Sequence, residues 1–272
     1  MTAHPDSVLL ITLDSCRFDT ARDSVAANIK MVGDVHKAQA PSYFTFASHA
    51  AMFVGFTPGV AERRAALVNP KYGRMFALEG SGRKSKAQPG FVLKGRNIVE
   101  GFHELGYATV GTGALGWFNP DFPSGRPLTE SFKDFFYTGN TWSLPEQVEW
   151  IEAKLHENKD RPVFAFLNVG ETHVPYFFDG APWSRLDNPC IPFQDVDRSA
   201  ECRMRQRLCL EYVDRQVGSL LERFMPGTIM ICGDHGDCWG EDGLWEHGVS
   251  HPMTLTVPLV IRMKGVPMLN AA

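Results

Sequence analysis

Four apolar runs punctuate the chain: Val8-Leu-Leu-Ile-Thr-Leu13, Pro162-Val-Phe-Ala-Phe-Leu-Asn-Val169, Thr228-Ile-Met-Ile-Cys232 and Val257-Pro-Leu-Val-Ile-Arg262. Short β-favouring runs without polar alternation, bounded by turn residues, read as strands buried on both faces. Asp34 to Gln39 and Gly106 to Val110 read as two shorter strands, and Pro258 marks a strand start or a sheet edge. Between these runs the spacing turns helical. Ser15 opens a helix into the late twenties, Ala47 to Val54 is helix-compatible with Gly55 as its C-cap, and Asn97 to Leu105 follows. Leu144 to Glu157 puts Val148, Ile151 and Leu155 on one stripe, and Arg198 to Phe224 is the longest helical segment. Phe132 to Trp142 reads as an aromatic-rich covering loop, and Glu79 to Gln88, with Arg83, Lys84 and Lys86, as a solvated surface loop. Alternation of strand and helix throughout predicts an α/β fold: a mostly parallel central sheet with helices on both faces. Without repeats or an evident linker, residues 1–272 read as a single domain, with 58–142 as a variable substrate-side insert.

Composition narrows the partners. A net charge of -4 argues against general nucleic-acid binding. The apolar run after the N-terminus is too short for a signal peptide or a membrane span, which makes a cytoplasmic location the expectation. The six cysteines follow no disulfide rhythm and read as reduced thiols.

Candidate chemistry gathers where the apolar runs stop. The run ending at Cys232 gives way to Gly233-Asp-His-Gly236, and the first run ends in Asp14. In open α/β sheets ligands collect at the carboxyl ends of strands. A carboxylate beside an imidazole is a common pair for Zn²⁺ or Mn²⁺. Taken alone, Asp14 reads equally as a helix N-cap and Asp234-His235 as a polar turn. If their strands lie side by side, two carboxylates share one crevice, which calls for a cation or a proton between them. His173 follows a third strand end, and His247 and His251 form a second cluster after Asp234-His235. Thr45 or Ser48 lies near a helix N-terminus, where a hydroxyl is either a cap or a nucleophile whose attacked oxygens the helix amides would hold.

These residues add up to a resemblance to the alkaline phosphatase superfamily, in its sulfatase-like branch. Four segments carry it in the family's order: Val8 to Asp19, Thr45 to Gly55, Gly170-Glu-Thr-His-Val-Pro-Tyr176, and Gly233-Asp-His-Gly236 followed by Glu246-His-Gly248 and Val257-Pro-Leu259. The resemblance implies Asp14, Thr45, Asp234 and His235 around one divalent metal, Zn²⁺ or Mn²⁺ ahead of Mg²⁺ or Ca²⁺. It also implies Thr45 as nucleophile, with His173 and His247 holding the transferring group, protonating the leaving group or binding a second metal. His251 is a weaker candidate for that role, and Ser48 and His49 would line the pocket; Cys16 and Cys238 are ligands or, more commonly, buried free thiols. Two departures matter. Sulfatases that use formylglycine carry Cys or Ser where this chain has Thr45, and the substrate-contacting lysine is missing from Gly113-Ala-Leu-Gly-Trp117. The chain is also short for a sulfatase, which implies a trimmed C-terminal subdomain. The expected activity is therefore metal-dependent cleavage of a small phosphate mono- or diester through a phosphothreonine. The alternatives are a sulfatase-like hydrolase, a phospho-group transferase on the same fold, and a non-catalytic metal-binding module.

Overall fold

The computed structural model describes residues 2–56, 96–191 and 194–266. In chain order the elements are β1 (Val8–Leu13), α1 (Phe18–Asp23), α2 (Ala27–Val32), β2 (His36–Gln39), α3 (Thr45–Val54), α4 (Ile98–Glu104), β3 (Ala108–Gly113), α5 (Arg126–Thr129), β4 (Asp134–Tyr137), α6 (Leu144–Glu157), β5 (Val163–Val169), α7 (Ser199–Phe224), β6 (Thr228–Gly233), β7 (Cys238–Trp239), β8 (Trp245–Glu246), α8 (Pro252–Leu255) and β9 (Thr256–Arg262). Among the described residues, seven strands form one sheet in the order β2-β9-β6-β1-β5-β3-β4. The pairings from β6 to β4 are parallel, and β9 runs antiparallel to both β6 and β2. β1 sits between the other two fully apolar runs, β5 and β6, so burial on both faces follows from its place in the sheet.

Alternation along the strands divides the core. Leu9, Ile11 and Leu13 of β1, with Ala165 and Leu167 of β5 and Ile229 and Ile231 of β6, pack beneath α6 and α7. Leu10, Phe164 and Phe166 face the other way, against Phe46 and Phe53 of α3 and an aromatic layer of Phe118 and Phe132. Gly113 is small because Phe118 lies on the strand there: a Cβ would come within 2.4 Å of the Phe118 Cβ.

Several expectations change. The helix opened by Ser15 is two short helices, because Ser24 leaves α1 with an extended ψ of 157°. The Phe132 to Trp142 stretch is not all loop: Asp134–Tyr137 is β4, pairing in parallel with β3 at the sheet edge. Pro258 marks neither an edge nor a start. It is the third residue of β9, which β2 covers, and it lies where the β6 ladder ends, at Leu259. Residues 57–95, including the Glu79 to Gln88 stretch, lie outside the described residues, whereas the later part of the 58–142 stretch supplies α4, β3, α5 and β4.

Candidate active site at the strand ends

The register places the key residues. Leu13 pairs with Val169 on one side and Gly233 on the other, so Asp14, Gly170 and Asp234 leave three adjacent parallel strands at one level. Even-numbered residues of β1 and β6 face α3, which carries Asp14 and Asp234 toward the first turn of that helix. Thr45 opens α3, behind Phe44, whose side chain provides no cap. The Thr45 hydroxyl lies 3.3 Å from Asp14 Oδ2 and 3.3 Å from His235 Nε2. His235 Nε2 is 3.7 Å from Asp14 Oδ1 and 3.7 Å from Asp234 Oδ2. All four side chains are buried, at 0–1% exposure.

Asp234 shows whether a cation fits. Its Oδ1 accepts the amide hydrogens of Ser15 and His235, at 3.1 and 2.8 Å, while its buried Oδ2 has no hydrogen-bond partner. Burial, and then the Asp14 carboxylate, push Asp234 well above the usual carboxylate range. A bare buried oxygen beside a second carboxylate calls for a cation or a proton. Asp14, Asp234 and His235 offer atoms within 4.8 Å of one another, and the donor set of two carboxylates and an imidazole suits Zn²⁺ or Mn²⁺.

The histidines share one wiring. His235 Nδ1 lies 3.0 Å from the Gly236 carbonyl and His173 Nδ1 2.7 Å from the Val174 carbonyl. A carbonyl only accepts, so each Nδ1 carries the hydrogen and Nε2 is the open nitrogen. His247 Nδ1 lies 2.7 Å from Asp237 Oδ1. The His247 ring stands 4.5 Å from that of His235 and 5.1 Å from that of His173, between centroids. Burial, with help from His247, lowers His235 to about 4 and keeps it neutral. Burial opposes charge on His247 as well, but Asp237 outweighs it and raises that pKa.

Other candidates have different occupations. Ser48 Oγ receives the Ser42 amide hydrogen and donates to the Ser42 carbonyl, both at 3.1 Å, so it ties the entry loop to α3. His49 is fully buried; its Nδ1–H donates to the Thr45 carbonyl at 2.8 Å and its Nε2 takes the Thr12 hydroxyl hydrogen at 2.9 Å. It braces Thr45 from behind rather than lining a pocket. His251 caps α8, accepting the Met253 amide hydrogen, and pairs with Asp242 at 3.1 Å, apart from the cluster. The Cys16 and Cys238 thiols are buried, and burial raises both, Cys238 to about 12, which leaves them protonated packing groups.

Sequence reasoning missed Asp237, which is fully buried between His247 and Tyr176 and groups with His235 and His247. The available signal was the second acid in Gly233-Asp-His-Gly-Asp237. It also missed the β7–β8 hairpin, which returns the chain from Asp237 so that His247 comes back beside it. Three residues flanking the site, Ser15, Tyr176 and Glu246, hold positive φ without being glycine, where strain of about 1–3 kcal/mol each is the usual cost.

No protein-family model matches the chain, and no curated protein does. Solved structures do. The zinc complex of the C-terminal periplasmic domain of EptC from Escherichia coli aligns over 97% of this chain and 74% of its own, with TM-score 0.65 and 11% identity. A putative sulfatase from Bacteroides thetaiotaomicron aligns over 98% and 66%, with TM-score 0.58 and 15% identity. An alkaline phosphatase superfamily protein from Vibrio parahaemolyticus aligns over 97% and 63%, with TM-score 0.57 and 11% identity, so this chain spans under two thirds of that relative's length. At such identities the likeness is one of fold: the chain has the mixed α/β, mostly parallel architecture of alkaline phosphatase and sulfatase-like proteins.

Proposed function

We propose that this chain is a metal-dependent enzyme that moves a phosphoryl-linked group from a phosphate ester to an acceptor alcohol through a phosphothreonine at Thr45. The observation that carries the reading is the Thr45 hydroxyl, uncapped at the start of α3 and 3.3 Å from both Asp14 Oδ2 and His235 Nε2. Asp14, Asp234, His235 and the Thr45 oxygen would hold one divalent cation. When bound, that cation supplies the charge that lets a hydroxyl act as a nucleophile near neutral pH.

The chain's own residues account for the rest. Thr45 Oγ attacks phosphorus, the new bond is Oγ–P, and the ester oxygen departs. The bare Nε2 of His173 or His247 takes the Thr45 hydroxyl proton as Oγ attacks and passes it to the departing ester oxygen. The acceptor hydroxyl then attacks phosphorus and gives its proton to the same Nε2, which passes it to the departing Thr45 oxygen and restores the hydroxyl. The first-turn amides of α3, which no side chain caps, would hold the phosphoryl oxygens.

Transfer to an acceptor other than water is favoured by the fold likeness to phosphoethanolamine transferase EptC from Campylobacter jejuni, whose C-terminal periplasmic domain aligns with TM-score 0.59. The likeness to a putative sulfatase favours a second reading, transfer to water, which makes the chain a phosphate-ester hydrolase. Incubating the zinc-loaded protein with a chromogenic phosphodiester, with and without glycerol, separates the two: a glycerol-linked product marks the transferase, free acid alone the hydrolase. Thr45→Ala should lower turnover by several orders of magnitude and remove the phosphothreonine mass increment, while metal stoichiometry stays unchanged. Full activity in that variant would overturn the Thr45 assignment, and bound zinc without turnover in the wild type would leave a metal-binding module.

A further inference from the structure

Asp14, Asp234 and His235 form one candidate metal group, and His235, Asp237 and His247 form another. The hydrogen bonds tell them apart. Asp234 keeps a bare, buried Oδ2, whereas both oxygens of Asp237 are taken. Asp237 Oδ1 receives His247 Nδ1 at 2.7 Å, and Oδ2 receives the Tyr176 hydroxyl hydrogen at 2.7 Å. The Tyr176 oxygen in turn accepts the Trp239 indole hydrogen at 2.8 Å. That leaves the Tyr176 O–H free to donate only one way, toward Asp237. Asp237, Tyr176 and Trp239 are buried at 0–2% exposure, so water does not compete for these bonds. Tyr176 belongs to the loop of His173, and Trp239 lies on β7, whose partner β8 leads into His247. The chain thus ties three segments to one carboxylate, and His247 hangs from its end.

We infer that Asp237, locked by Tyr176 and Trp239, is a positioning residue that fixes His247 as its Nδ1–H form and presents Nε2 to the reacting group. It acts through His247 and is not itself a metal ligand. A carboxylate accepts and never donates when ionised, so only the Nδ1–H tautomer satisfies the pair. The same arrangement, a buried acid orienting an imidazole, loses most of its effect when an amide replaces the acid, because the amide can donate to Nδ1 and moves the hydrogen to the far nitrogen. The inference rests on the proposed reading only for what Nε2 does; the tautomer stands independently of it.

Long-range ¹H–¹⁵N NMR of the metal-free chain, at a pH where the ring is neutral and with His247 assigned by His247→Gln, reads the tautomer directly. The wild type should show a protonated Nδ1 and a bare Nε2. In Asp237→Asn the population should move to Nε2–H. In the zinc-loaded enzyme the same variant should lower kcat about 10–100-fold with KM within about threefold, and Asp237→Glu should recover part of the loss. Zinc should remain at wild-type stoichiometry. An unchanged His247 tautomer in Asp237→Asn, or loss of bound zinc in that variant, would overturn the inference. If Asp237→Asn fails to fold, Tyr176→Phe carries the test, with a smaller shift of the tautomer in the same direction and a smaller fall in kcat; no change in either overturns it. A wild-type protein that shows the Nδ1–H tautomer and turns over no phosphoester defeats the proposed function and leaves the positioning role of Asp237 intact.

Discussion

Asp234 bonds two amides through one oxygen and nothing through the other, and it lies beside Asp14 in a fully buried crevice. Its raised pKa means that the folded metal-free chain holds a proton there which the unfolded chain releases. The stabilising contribution of that proton is present at low pH and is lost as pH rises through the raised value. Cation affinity should rise over the same interval, since the ligand must be a carboxylate. His235 and His49 act in the opposite sense. Burial first in each case, then His247 for His235, lowers both to about 4 from an unfolded value of 6.5, so the folded chain loses stability as pH falls from about 6.5 through 4. At about 1.4 kcal/mol per unit, each is on the order of 3 kcal/mol. Asp234→Asn should therefore raise the melting temperature of the metal-free protein at pH 8 and abolish its stabilisation by zinc; calorimetry with and without zinc reads both. Asp14, Asp234, His235 and His173 were legible because each follows an apolar strand at its carboxyl end. Asp237 was not, because its meaning depends on Tyr176, 61 positions away.

Elements, more than single residues, set how the site is held. Gly170 closes β5 against the segment before α6; a Cβ there would meet the Thr141 carbonyl oxygen at 2.2 Å. One residue later, Glu171 accepts the first amide hydrogen of α6, from Leu144 at 3.0 Å, and leaves its Oε2 buried without a partner. Burial raises the Glu171 pKa to about 7. The sign follows: its proton is retained in the folded chain up to about pH 7 but only to about 4.5 when unfolded, so stability falls as pH rises through 7. Glu171→Gln keeps an oxygen for Leu144 and removes the titration. Urea unfolding should find the variant more stable than wild type by up to about 3 kcal/mol at pH 8 and equal to it near pH 4. Helix α6 was readable to the residue, because its apolar stripe and its flanking turns agree. The break between α1 and α2 was not, since Asp214 of α7 decides it. That carboxylate accepts the Ile29 amide hydrogen at 2.7 Å and the Asn28 side-chain hydrogen at 3.1 Å, starting α2 afresh.

At the scale of the molecule, a cation between β1, β6 and α3 would join three segments from opposite ends of the sequence. Zinc at about 100 times its dissociation constant should add about 2.7 kcal/mol to the stability, a rise in melting temperature of roughly 5–10 °C, reversed by a chelator. An unchanged transition would mean that the crevice holds no metal. The sequence by itself determined the fold class, the three central strands and the acids and imidazoles at their ends, because apolar runs and strand-end turns are local signals. Tertiary structure decided what those residues do together. Register alone brings Asp14 level with Asp234, since one step of slip would turn either carboxylate to the opposite face of the sheet. The same long-range packing set His49 to brace Thr45, left His251 as a cap, and placed Asp237 behind His247, because hydrogen bonds across scores of residues leave no local pattern to read.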